Sequence, residues 1–132
     1  MPSMAFDTQR RAAAADAIAP DGAEVRVLCA LARGSMAVFS LGPGMVSKAV
    51  AHRTVEELWY FTRGTGRMWR KAGDRENVTE IGAGVSISIP TGTRFQFRSD
   101  GDEPLEAVAV TMPPWPGEGE ACIVVGEWPP TV

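Results

Sequence analysis

Gly84-Val-Ser-Ile-Ser-Ile-Pro90-Thr-Gly92 is the stretch that decides the fold. Between its glycines, Val85, Ile87 and Ile89 alternate with Ser86 and Ser88. That period of two belongs to a strand with one buried face, and Pro90-Thr-Gly92 closes it as a turn. Outward from here, short apolar runs recur between turn signals, at 25–31, 36–41, 46–54, 57–62, 67–71, 78–81, 95–98 and 105–112. Many short strands with closely spaced turns predict an all-β sandwich or barrel rather than a parallel α/β sheet.

Two flanks frame this body. At 7–19 a run rich in alanine follows a capping residue, Asp7, and ends at Pro20-Asp-Gly22. It predicts a short N-terminal helix within a segment 1–22. After residue 112, Pro113-Pro-Trp-Pro and Trp128-Pro-Pro carry too much proline for a central strand. Residues 113–132 are therefore expected to form an extended strap, with Trp115 and Trp128 laid on apolar surface. The expected body is 23–112.

The chain has 132 residues, 45% of them hydrophobic and 22% charged, which fits one globular domain. A net charge of −3 with scattered basic residues argues against a nucleic-acid or anionic-membrane partner. No apolar run reaches the ~20 residues of a membrane span. No secretory leader is legible, and Cys29 and Cys122 fit no metal spacing or disulfide framework. A cytoplasmic location with free, buried thiols is the expectation.

The second informative stretch is His52-Arg-Thr-Val-Glu-Glu57, with Gly64 beyond it. His52 is the only histidine in the protein. Taken with Gly84, Pro90 and Gly92, this order and spacing resembles the two halves of the cupin motif. The first half of that motif runs glycine, His-x-His, Glu, six residues, Gly. The second runs Gly, five residues, Pro-x-Gly, His, then Asn. The resemblance covers about 23–112 and implies an antiparallel jelly-roll β-barrel. It also raises the expectation of a homodimer.

Two of the family's metal ligands are missing. Thr54 stands where the second histidine belongs, Phe95 where the third does, and Ser99 replaces the asparagine. Only His52 and Glu57 remain of the four expected ligands, too few to hold a transition metal against water and chelators. No tightly bound cofactor is therefore expected, and a divalent ion on His52 and Glu57 is the alternative. Without metal, a histidine beside a carboxylate is a base with its orienting partner, which makes His52 and Glu57 the candidate catalytic pair.

Strand alternation from Glu57 points Trp59 and Phe61 inward and Leu58 and Tyr60 outward. Phe95 and Phe97 are expected inside as well, and Trp69 with Arg67. With Thr54 these residues (Thr54, Trp59, Phe61, Trp69, Phe95, Phe97) are the candidate ligand-binding set, an aromatic cavity suited to a small molecule. One apolar sheet face must then be covered by the helix, the strap or a second subunit, so a homodimer is expected. Two functions stay open. One is a small-molecule-binding module. The other is an enzyme, either metal-dependent (isomerase or dioxygenase type) or a metal-free acid–base catalyst (epimerase type).

Overall fold

The computed structural model describes residues 6–132 and contains eleven strands and no helix among them. They are β1 (Ala17–Ile18), β2 (Glu24–Leu31), β3 (Gly34–Leu41), β4 (Val50–His52), β5 (Glu56–Arg63), β6 (Thr65–Ala72), β7 (Arg75–Gly82), β8 (Ser86–Ile89), β9 (Arg94–Ser99), β10 (Leu105–Met112) and β11 (Ala121–Ile123). Two antiparallel sheets result, ordered β1-β2-β3-β10-β5-β8 and β11-β4-β9-β6-β7. They face each other as a sandwich and do not join into the single closed barrel that was expected.

The alternation of each strand sets the core. Trp59 and Phe61 are buried on β5 while Leu58 and Tyr60 stay exposed, and Ile87 and Ile89 are buried on β8 while Ser86 and Ser88 face out. On β10 the small residues Ala109 and Ala107 lie opposite Trp59 and Phe61, which leaves room for the two large rings. The second sheet contributes Met68, Phe95 and Phe97 to the same cluster.

Two motif glycines do conformational work that other residues resist. Gly64 has φ +83°, and a Cβ there would fall 2.5 Å from the carbonyl oxygen of Pro104. Gly92, at φ +81°, donates its N–H to the carbonyl of His52 at 3.1 Å, tying the second motif to the first.

The expected helix at 7–19 is corrected to an extended segment ending in β1. A helix this short is marginal in water without an apolar face to bury, and the alanines here offer little. The backbone bonds elsewhere instead. Asp16 N–H donates to the Val25 carbonyl, and Asp16 accepts from the Val27 N–H, both at 2.8 Å. Arg26 donates to the carbonyls of Ala12 and Ala13, and Arg11 pairs with Glu106 through two bonds of 3.0 and 2.7 Å.

The expected strap over 113–132 is interrupted: Ala121–Ile123 joins the five-stranded sheet as β11 beside β4, and the segment around Trp128 lies on that sheet's outer face. Gln96 points outward between Phe95 and Phe97, yet is 1% exposed because the strap covers it. Its amide donates to the carbonyls of Ser47 and Trp128 and accepts the N–H groups of Glu127 and Trp128, at 2.7–2.9 Å. The Trp128 ring lies 5.7 Å from the Arg67 guanidinium and 5.3 Å from that of Arg98. No helix among the described residues is long and apolar enough to cross a membrane. Cys29 and Cys122 are unpaired and half-buried rather than buried.

Candidate functional site

A cavity of about 450 Å³ opens at the mouth of the sandwich, between β1, β2 and β3 on one side and β4 and β11 on the other. Its walls are mainly aliphatic and aromatic, among them Val25, Ala37, Phe39, Trp59, Phe95 and Ala109. His52 ends β4 and is held between two rings, Phe95 at 5.2 Å and Trp115 at 5.1 Å, both edge-on. Trp115 comes from the strap, and its backbone N–H donates to the hydroxyl of Ser35 at 2.9 Å. Ser35 and Thr111 share a hydroxyl contact of 2.5 Å.

Glu57 reaches the same point from β5. Its Oε1 lies 2.9 Å from His52 Nδ1, with His52 8% and Glu57 2% exposed. The ring N–H direction misses the carboxylate oxygen, so both buried atoms lack an aligned partner. Oε2 accepts the indole N–H of Trp59 at 3.2 Å. The strand that carries the carboxylate thus carries its anchor, two residues on.

Asp21 is a third ionisable group on the cavity wall, and sequence reasoning missed it. It sits in the turn before β2, buried, with Oδ1 accepting the Ala23 N–H at 3.0 Å. Burial pushes its carboxyl up to about 6, against the hydrogen bond from Ala23, and the charge of Glu57 pushes the same way. The legible signal was an Asp-Gly pair, which also marks any turn.

An acid that goes from 3.8 to about 6 on folding binds its proton more tightly in the folded chain. The folded state binds more protons between those values, so stability falls as pH rises through that window. Asp21→Asn keeps an oxygen for Ala23 and removes the charge. Urea unfolding should show it more stable than wild type by about 2–3 kcal/mol at pH 8 and nearly equal near pH 4. A variant less stable at pH 8 would contradict this.

Of the expected site residues, His52, Glu57, Trp59 and Phe95 line the cavity. Four corrections follow. Thr54 is exposed, and its N–H donates to Glu120 Oε2 at 2.8 Å while its hydroxyl bonds the other oxygen. It lies in a bend between β4 and β5, where strand alternation does not apply. Phe61 and Phe97 point inward but are fully buried core, behind Trp59. Trp69 faces the strap side, because its neighbour Met68 takes the inner position; its indole N–H donates to Glu76 at 2.6 Å.

Glu120 is a second residue that sequence reasoning missed. Its burial would raise its carboxyl, but bonds from the Thr54 hydroxyl and the N–H groups of Thr54, Arg53 and Val55 hold it below the usual range. It clamps the loop after His52 to the strand that follows. Among the described residues, no three His, Cys, Asp or Glu side chains converge as a metal site.

A deletion mutant of Bacillus subtilis oxalate decarboxylase superposes with a TM-score of 0.66 at 21% identity, over 74% of this chain and 28% of that one. The same enzyme, in a study of its Mn(II) centres, gives a TM-score of 0.63 at 22% identity, over 70% of this chain and 26% of that one. The chain therefore spans less than a third of oxalate decarboxylase. BH2720 of Bacillus halodurans gives 0.64 at 20% identity, over 74% of this chain and 75% of that one. At such identities the likeness is one of fold. A search of curated proteins returns no match. A family model of the cupin domain matches residues 37–111. With more than half of the chain matched, on the two-sheet fold that carries His52 and Glu57, the protein belongs to the cupin domain family.

Proposed function

We propose that the protein binds a small, largely apolar molecule in the cavity above Trp59, with His52 and Glu57 providing polar specificity. The observation that carries this reading is the buried His52–Glu57 pair, left without aligned hydrogen bonds at the end of an apolar cavity. Buried polar groups are rarely left unsatisfied without a reason, and a bound ligand is one.

The Mn(II) of oxalate decarboxylase has no equivalent ligand set here. Phe95 and the Glu120-bound Thr54 leave two donors, and Asp21 does not converge with them. The residues do not fit a transition metal. Protein purified without added metal should contain well under one ion per chain by elemental analysis. About one ion per chain, lost in His52→Ala, would overturn the reading of the donor set.

A thermal-shift screen of small alcohols, amines, sugars and carboxylates, run with chelator on wild type and His52→Ala, tests the binding reading. Stabilisation of wild type that weakens in the variant is expected; no response to any class would sink it. A second reading is favoured by one observation. Asp21, a carboxyl raised to about 6 by burial, lines the same cavity as the His52–Glu57 pair, so a bound substrate could lie between the two groups. Turnover of a compound found in the screen, abolished in Asp21→Asn, would establish a metal-free acid–base enzyme.

The outer face of the six-stranded sheet leaves Leu58 and Tyr60 about half exposed beside Val108 and Val110. We propose that two copies pair there. Sedimentation at micromolar concentration should show a dimer that Leu58→Glu converts to monomer. A monomeric wild type would remove this proposal. Two unpaired cysteines support a reducing compartment such as the cytoplasm.

A further inference from the structure

The polar end of the cavity is rich in acceptors and poor in donors. No lysine or arginine lines it. Most of the donors that line it are already committed, the indole N–H of Trp115 at the mouth excepted. The Trp59 indole N–H is given to Glu57, and the Ser35 and Thr111 hydroxyls face each other, while His52 Nδ1 lies beside Glu57 without an aligned bond. What remains for a ligand is His52 Nε2, the remaining acceptor capacity of the Asp21 carboxylate beyond its backbone bonds, and the Trp115 indole N–H.

The charges lead to the same conclusion. Two carboxylates, Asp21 and Glu57, share the cavity with one imidazole. With two carboxyl groups and no lysine or arginine among its lining residues, the cavity would bury an incoming anion with no fixed cation to pair it.

Resting on the cavity as the binding site, we propose that it selects a neutral or cationic molecule with a hydrogen-bond-donating head, an amine or hydroxyl on an apolar or aromatic body, and excludes carboxylates. Asp21 is then a specificity-determining residue, because a donating head can bond its carboxylate. A carboxylate head cannot, and it adds a negative charge.

Matched probes test this on the full chain: 2-phenylethylamine, 2-phenylethanol and phenylacetate share a body and differ in the head, and ethylbenzene lacks one. Binding is read by calorimetry and by the fluorescence of the Trp59 and Trp115 region. The amine and alcohol should bind at least about tenfold more tightly than phenylacetate. Asp21→Asn should weaken the amine by about tenfold and change the alcohol by less, with the fold checked by circular dichroism. Phenylacetate binding as tightly as the amine would overturn the selectivity. Ethylbenzene binding with no preference among the heads would also overturn it, while leaving the cavity reading intact. No response to any of the four compounds would overturn the cavity reading itself.

Discussion

Trp59→Ala is expected to lower the unfolding free energy by about 3–5 kcal/mol, the range for removing a large buried ring. Trp59 is 2% exposed and lies within 5.0–6.0 Å, centroid to centroid, of Phe39, Phe61, Phe95 and Phe97. Both sheets contribute rings to that cluster, so the loss is of packing between sheets, with few routes for collapse. A second component is polar. The indole N–H is the hydrogen-bond donor to Glu57 Oε2, and its removal leaves a buried carboxylate oxygen unpartnered. Trp59→Phe separates the two contributions: it keeps most of the ring contacts and should lose less than half as much. Urea unfolding with unchanged slope measures both. A loss below 1 kcal/mol in Trp59→Ala would show that the two sheets do not depend on this ring.

Gln96→Leu is the second large effect. Gln96 gives four bonds to backbone groups of Ser47, Glu127 and Trp128, and all of them lie under the strap. Leucine has a similar volume and no polar atom, so two carbonyls and two N–H groups would stay buried and unpaired. Each such group costs about 1–3 kcal/mol. The strap can instead release into water, which limits the total and discards the stacking of Trp128 on Arg67 and Arg98. The expected result is a loss of at least ~3 kcal/mol, with the last residues opened to carboxypeptidase and Trp128 emission moved to the red. An intact, protease-resistant tail in the variant would show that the strap is held by other contacts.

Residues whose local chemistry and tertiary role agree were legible in the sequence. Ile87 and Ile89 alternate with serines and are inside, and Leu58 and Tyr60 alternate with Trp59 and are outside. Gly64 and Gly92 stand where the backbone needs a positive φ. The misreadings share a cause in long-range contacts. Alanine propensity suggested a helix at 7–19, but pairing with Val25 and bonds from Arg26 hold those residues extended. Motif position points Thr54 inside, but it lies in the bend after β4 and bonds to Glu120, a carboxylate 66 residues away. Trp69 and Met68 are adjacent apolar residues, and only the packing tells which of them enters the core. Asp21 carried a turn signal and nothing else, since its surroundings come from residues far along the chain, such as Lys48, whose N–H bonds the Asp21 carbonyl.

The cavity is walled at both ends of the chain. The part shared with the family, 37–111, contributes His52, Glu57, Trp59 and Phe95, whereas Asp21, Trp115 and Ala121 come from the flanks. Body and lining are thus separable in the sequence although they are continuous in space. Grafting different termini onto the same sandwich would exchange the chemistry at the mouth while leaving the aromatic floor untouched.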